Sequence, residues 1–192
     1  MKLNMKTCRA TTAVVILSAL AAGCTPSTQP EPPQAGLTTR AVCESLQTLF
    51  TEKFQAIEVD AQSITDGHLF DEPISISASC EVSSSADKAF YGKIIIRNAP
   101  HDPNPIGSAV ANYVETIVDG ETVLVFDKRK DSKWAMSSVE IAASIGGWFG
   151  ELRVDPETTR TAAGSLNFTE TEQKSAAQYL IAILRRAAES QA

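Results

Sequence analysis

The chain has 192 residues, of which 43% are hydrophobic, and its 17 lysines and arginines stand against 23 aspartates and glutamates, a formal net charge of −6 at pH 7. Its apolar content and length are those of one globular domain with a tail. No basic stripe offsets the acidic balance, which argues against nucleic acid as a partner.

The first 23 residues have the three-part pattern of an export signal. Lys2, Lys6 and Arg9 give a positive start, and an apolar run covers Ala13 to Ala22. At roughly 10–12 residues this run is shorter than the about 20 that a membrane-spanning helix needs. The pattern predicts a cleaved signal peptide at residues 1–23, with an ordinary secretory signal and a buried N-terminal helix as the alternatives.

The end of this segment, Ala21-Ala22-Gly23-Cys24 preceded by Leu20, resembles the lipobox of bacterial lipoproteins. The resemblance implies that the Cys24 thiol carries a diacylglycerol, that a dedicated signal peptidase cuts before Cys24, and that a further acyl chain such as palmitate can join the freed amine. Two chains at one residue suit stable anchoring, because a single chain binds membranes only marginally. We therefore expect a lipid-anchored protein on the extracytoplasmic side of the cell membrane, or of an outer membrane in a two-membrane cell.

Loss of the signal removes three basic residues and no acidic ones, which takes the net charge from −6 to −9. Residues 24–37 then form a linker that is rich in proline, and residues 38–192 are predicted to form a single globular domain. Cys43 and Cys80 are the even pair left in this exported domain, so they are predicted to form a disulfide. No close metal-ligand spacing is present, and no metal or cofactor is expected.

The first half of the domain reads as a helix followed by a hairpin. Thr38 or Thr39 can cap a helix to about Phe54, and the segment 56–72 reads as loop. Ile74, Ile76, Ala78, Cys80 and Val82 alternate with polar residues, which predicts a strand with one apolar face. A return strand is predicted over Phe90 to Arg97. For Cys43 to reach Cys80, the helix must cover the apolar face of the sheet.

The second half repeats the order without repeating the sequence. Asn104 and Pro105 can begin a helix with an apolar stripe to Val118, and the alternative is a strand over 110–118 with a hairpin turn at Asp119-Gly120. Further strands are predicted over 122–126, over 133–141, and through Leu152 and Val154. A capping box at Thr169 begins the last helix. The predicted fold class is α+β, with the order α-β-β-α-β-β-(β)-α and helices packed mainly on one face of an antiparallel sheet.

No catalytic set stands out in the sequence. The two histidines, His68 and His101, fall in predicted loops, and no Gly-x-Ser-x-Gly motif is present. Trp148 and Phe149, between glycines, are either core residues or one wall of a ligand pocket. The basic run at 128–130 is either a solvated turn or a contact for an acidic partner. We therefore assign no catalytic residues and no enzymatic activity.

The predicted function is non-catalytic binding of an envelope partner or of a small apolar or lipid ligand by a membrane-anchored domain. The layout of lipidated cysteine, proline-rich linker and small domain with one disulfide resembles the small envelope lipoproteins of mycobacteria and related actinobacteria. The alternative is an envelope hydrolase that uses scattered carboxylates and a loop histidine such as His101.

Overall fold

A computed structural model describes residues 36–64, 70–99, 113–130 and 137–191. Within these ranges the chain forms an α+β fold with a seven-stranded antiparallel sheet and two α-helices, so the predicted fold class is confirmed at this level. The predicted signal peptide, Cys24, most of the linker and both histidines lie outside the described residues. The predicted start of the middle helix at Asn104 also lies outside them.

One α-helix precedes the strands in the chain, and the other follows them. Their bounds are α1 Thr39–Thr48, a π-helical turn Leu49–Lys53, β1 Val59–Ser63, β2 Ser77–Ser84, β3 Phe90–Asn98, β4 Val114–Val118, β5 Glu121–Asp127, a 3₁₀ turn Lys128–Lys130, β6 Val139–Ile145, β7 Trp148–Val154, the short strands β8 Arg160–Thr161 and β9 Gly164–Ser165, and α2 Glu170–Glu189. The strand order in the large sheet is β1-β2-β3-β7-β6-β5-β4. The edge strands among the described residues are therefore β1 and β4.

The first helix begins where the sequence predicts. The Thr38 hydroxyl accepts a hydrogen bond from the Ala41 amide, which satisfies one of the free donors of the first turn. Cys43 lies on the buried side of α1 and forms a disulfide with Cys80 of β2, with 5.4 Å between the two Cα atoms. The predicted disulfide is confirmed, and it ties α1 to the sheet.

The predicted alternation along β2 fails only at Ile76, since Ile74, which precedes the strand, is buried as predicted. Ala78, Cys80 and Val82 are buried, but Ile76 is 73% exposed. The chain bends at Ser75 and Ile76, and β2 begins at Ser77. Ile76 therefore lies outside the strand, whose alternation would have pointed its side chain toward the core.

The predicted loop over 56–72 contains an additional strand, β1, which pairs with β2. Its side chains are only partly covered because it is an edge strand, and this partial burial explains its weak sequence pattern.

The middle helix is not present over residues 114–118, where the chain forms β4 instead. The β-branched run Val114 to Val118 favours extended backbone. Asp119 and Gly120 both have positive φ, 50° and 84°, and together make the two-residue turn to β5. The alternative strand interpretation, with a hairpin at Asp119-Gly120, is confirmed for the described residues.

The last strands and helix follow the prediction more closely. Of the strand predicted over 133–141, residues 133–136 lie outside the described residues, and β6 begins at Val139 and extends to Ile145. Gly146 and Gly147 form the two-residue turn into β7. The predicted capping box of α2 is confirmed: the Thr169 amide donates to the Glu172 carboxylate, while the Thr169 hydroxyl accepts from the amide of Thr171.

Two glycines of the sheet allow helical side chains to approach the backbone. A Cβ at Gly92 of β3 would lie 2.5 Å from the ring of Phe50, which belongs to the π-helical turn after α1. A Cβ at Gly150 of β7 would lie 2.8 Å from Leu180 and 3.0 Å from Leu184 of α2. Both helical segments therefore pack directly on the central strands.

Candidate functional site

A groove of about 820 Å³ lies between β4 and the N-terminal half of α2. Its apolar lining comes from β4, β5 and one small residue of the helix: Val114, Ile117, Val118, Val125, Phe126 and Ala177. Its charged lining consists of Glu115, Asp127, Lys130, Glu170 and Lys174. An apolar floor within a polar rim is the usual composition of a ligand site.

The groove exists because α2 does not extend over the edge of the sheet. The apolar stripe of α2, with Leu180 and Leu184 over Gly150, packs mainly on β6 and β7, and the helix touches β4 much less. Four residues of α2 line the groove, Glu170, Gln173, Lys174 and Ala177, and the one apolar side chain among them, that of Ala177, is small. The space between the helix and the edge strand therefore stays open.

The edge strand beside this groove carries exposed apolar side chains. Val114 is 68% exposed and Ile117 is 67% exposed, and within the described ranges no strand pairs with the outer edge of β4. An edge with free backbone groups and apolar side chains is a site at which another chain can be added. The sequence predicted a helical stripe for these residues, with a strand as the alternative that their β-branched character favours.

One side of the groove rim is neutralised by internal ion pairs. Burial acts to raise the pKa of Asp127, but hydrogen bonds and charge from Arg129, together with the charge of Lys130, hold it below its ordinary value. The Arg129 guanidinium also donates to the carbonyl of Phe168 at 3.1 Å. Asp127 is therefore an ionised structural anchor for the turn rather than a proton donor to a ligand.

The basic run 128–130 was predicted to be either a solvated turn or a contact for an acidic partner, and Lys130, with a side chain 81% exposed, fits the solvated turn. Lys128 forms an ion pair with Glu140, and both side chains are only 12% exposed. All three cations of the run are therefore paired with carboxylates of the same chain, Lys128 with Glu140, and Arg129 and Lys130 with Asp127.

A second, smaller space of about 490 Å³ separates the two helices. The Tyr179 hydroxyl lies 3.2 Å from the Ser45 hydroxyl and 3.3 Å from the carbonyl oxygen of Val42. Burial raises the pKa of Tyr179 well above its ordinary value. This phenol is a neutral hydrogen-bonding link between α1 and α2.

Charged residues cluster on the strands next to Lys128. Glu140 of β6 pairs with Arg153 of β7 in register, and Glu151 is a diagonal neighbour of Glu140. Burial, and then the charge of Glu140, raises the pKa of Glu151. Burial and the same two carboxylates raise the pKa of Tyr113 to about 12. Glu140 and Glu151 line neither the groove beside β4 nor the space between the two helices.

Trp148 and Phe149 begin β7 and are 1% and 4% exposed. Trp148 belongs to the main apolar core, and the Phe149 ring lies 4.9 Å below the guanidinium of Arg97. Both residues are thus buried in a strand, as their core interpretation requires, and neither lines the two grooves. Their predicted contact with a ligand stays a prediction.

Within residues 36–64, 70–99, 113–130 and 137–191, no three His, Cys, Asp or Glu residues group as metal ligands. Neither described helix has the length and apolar character needed to cross a membrane. His68, His101 and Cys24 are outside these ranges.

Comparisons with protein-family models, with curated proteins and with solved structures gave no match for this chain.

Proposed function

We propose that this protein is a lipid-anchored lipoprotein on the extracytoplasmic side of a cell membrane, whose domain binds an apolar or lipid ligand, or an envelope partner, without catalysis. The sequence at Ala21 to Cys24 supports the anchor. The groove beside β4 supports the binding role and is the one observation that carries it.

The groove suits an amphipathic lipid in its size and in its mixed apolar and charged lining. Its volume of about 820 Å³ falls within the range of about 300–1,000 Å³ that is usual for small-molecule sites. Its floor is made by Val118 and Val125 of the sheet and by Ala177 of the helix. Lys174 at its rim is exposed, and it offers a positive charge to an acidic headgroup.

The proposal includes the packing of both helices on one face of the sheet. Gly92 and Ile96 of β3 share a face because they are four residues apart, and Ile96 is directly opposite Gly150 of β7. The residues that approach Gly92 and Gly150 come from the two different helical segments. With α1 and α2 side by side on this face of the sheet, the part of the face at β4 is left for a ligand.

The anchor and linker would hold this groove near the membrane without fixing it there. The thirteen residues from Thr25 to Leu37 reach at most roughly 40 Å at about 3.1 Å per residue. The acidic mature chain is repelled by anionic headgroups, so the lipid on Cys24 would supply the attachment.

Binding at the groove is tested with a fluorescent sixteen-carbon fatty acid and the uncharged alcohol of the same length. Gln173→Trp fills the groove from α2 and should weaken binding of both probes at least about tenfold. Ala182→Trp places the same side chain on an exposed position of the same helix and should leave binding unchanged. Lys174→Glu should weaken the acid only. Equal binding by the two tryptophan variants, or no saturable binding, would contradict the proposal.

The anchor is tested separately by intact mass and detergent partitioning of the processed protein. The unsubstituted protein should lose residues 1–23, gain the mass of a lipid and enter the detergent phase. Cys24→Ala should do none of these, whereas Cys8→Ala should behave like the unsubstituted protein. Cleavage without added lipid would contradict the anchor and leave the groove proposal in place.

A further inference from the structure

We infer that β4 is the surface through which two copies of this chain pair, joining their sheets across a two-fold axis at Thr116. This inference goes beyond ligand binding in the groove, and its test does not depend on lipid attachment. It rests on the exposed side chains of β4, on the direction of its free backbone groups, and on the order of its five residues.

The two edges of the sheet differ in how they are protected. At β1, the exposed charge of Asp60 is held by Lys88 at 3.1 Å, and Gln62 is polar and exposed. At β4, two large apolar side chains, Val114 and Ile117, are each about two-thirds exposed. Charge and polar residues are the usual protection of an edge against pairing. Each strand carries a single charge, Asp60 in β1 and Glu115 in β4, but of the two only β4 has large exposed apolar side chains, so β4 is the edge suited to a partner strand.

Among the described residues, the backbone groups at the outer edge of β4 that no strand pairs belong to two alternate residues. The two-residue turn after Val118 makes Val118 and Glu121 a hydrogen-bonded pair. Hydrogen-bonded and non-hydrogen-bonded pairs alternate from there, so the N–H and C=O groups of Glu115 and Ile117 point away from β5. An antiparallel strand centred on Thr116 would bring Glu115 opposite Ile117 of the second copy, and the two symmetric pairs would form four hydrogen bonds.

The side chains fit this register and not its neighbours. Centring on Thr116 places Val114 opposite Val118 of the second copy and Glu115 opposite Ile117, with no like charges face to face. Centring on Glu115 would oppose two glutamates, and centring on Ile117 would oppose Glu115 to Asp119. Like charges directly opposite destabilise a strand pair. The sequence of β4 is thus complementary to itself in one register, which favours a second copy over an unrelated strand.

Pairing at β4 would also bring the two grooves together. Val114, Thr116 and Val118 lie on one face of β4 because they alternate along it, and all three line the groove. In the pair these residues from both copies would form one continuous floor. The exposed Val114 would be covered by Val118 of the second copy.

The register is tested by cross-linking the full chain, purified in detergent with Cys8→Ser and Cys24→Ser so that no other thiol is free. Thr116→Cys would oppose two cysteines in a non-hydrogen-bonded pair, at a Cα separation of about 4.5 Å that a disulfide can bridge. We expect a covalent dimer on oxidation. Thr122→Cys, exposed on the neighbouring strand β5, is the matched control and should stay monomeric.

The charge pattern is tested by sedimentation equilibrium on the chain that carries Cys8→Ser and Cys24→Ser. Ile117→Glu opposes two glutamates in each half of the pair and should weaken association about tenfold. Adding Glu115→Lys converts both contacts to opposite charges and should restore it. Circular dichroism checks that each variant is folded.

If the chain with only Cys8→Ser and Cys24→Ser sediments as a monomer, the inference is overturned. The partner of β4 would then be an extended segment of another protein. A dimer that Thr116→Cys does not cross-link, or that Ile117→Glu does not weaken, would also overturn it.

Discussion

At the scale of single residues, two glycines of the central strands hold the helices close to the sheet for different reasons. At Gly92 an added methyl group would meet both the Phe50 ring and, at 2.6 Å, the carbonyl oxygen of Arg153. At Gly150 it would meet only the ends of two leucines. Backbone and a packed ring cannot move aside, whereas the flexible ends of leucines can shift.

Gly92→Ala should therefore lower the free energy of unfolding by about 1–3 kcal/mol, the usual cost of overpacking. Gly150→Ala should cost clearly less, since leucine rotamers can adjust and alanine restricts the unfolded chain. Urea denaturation of the two variants beside the unsubstituted protein measures both effects. A larger loss at Gly150 than at Gly92 would show that the helix–sheet spacing is set elsewhere.

Glu151 gives a residue-scale prediction for pH. Burial and Glu140 raise its pKa above the ordinary value of 4.5, so the folded state holds this proton at pH values where the unfolded state has lost it. The contribution of Glu151 to stability is therefore favourable at low pH and is lost as pH rises through the folded pKa. Urea denaturation at the two pH values measures the free energy of unfolding. The free energy of unfolding of Glu151→Gln, relative to that of the unsubstituted protein, should be higher at pH 7 than at pH 4.

Glu44→Gln, at an exposed position on α1, is the control for loss of a surface carboxylate. If the glutamine at position 151 destabilises the protein equally at both pH values, Glu151 is ionised throughout and its cationic neighbours outweigh its burial.

At the scale of elements, the start of α2 is stabilised by local hydrogen bonds. Thr169→Ala removes the hydroxyl that accepts from the Thr171 amide at 3.2 Å and should lower the free energy of unfolding by about 1 kcal/mol. Thr171→Ala leaves the cap intact and is the matched control. Thermal or urea unfolding measures the difference, and equal losses in the two variants would mean that the cap is not a significant source of stability.

Elements with strong local signals could be predicted from the sequence. The cap of α1 at Thr38, the capping box of α2 at Thr169 and the apolar alternation around Cys80 each act over a few residues, and the structure has all three. β1 could not be predicted because an edge strand needs no strict alternation. The segment ending at Val118 fits both a helical and an extended period, and its choice depends on pairing with β5, a contact distant from any local pattern.

The candidate groove was not predictable for a related reason. Its floor comes from β4, β5 and Ala177, and its wall comes from the first turns of α2, so the groove depends on how far the helix extends across the sheet. Sequence reasoning instead selected Trp148 and Phe149, because aromatic residues between glycines suggest an adaptable loop. In the fold the preceding glycines make a tight hairpin turn, and both aromatic residues enter the strand.

At the scale of the whole molecule, the disulfide joins two elements whose packing is otherwise held by apolar contacts. Cys43 and Cys80 are 37 residues apart in sequence and both are buried, at 3% and 0% exposure. The loop they close includes β1, so the bond holds this weakly patterned edge strand within a closed segment of the chain. In the chain-entropy account, closing such a loop stabilises the fold by about 4 kcal/mol.

Reduction of the purified protein should therefore lower its free energy of unfolding by about 4 kcal/mol. The variant with both Cys43→Ala and Cys80→Ala should be at least as destabilised, because it also loses buried sulfur atoms, and reductant should not affect it further. Urea denaturation with and without reductant measures both. A loss under about 1 kcal/mol on reduction would show that the unfolded chain keeps α1 close to β2 without the bond, since stabilisation by a cross-link requires that the unfolded ends separate.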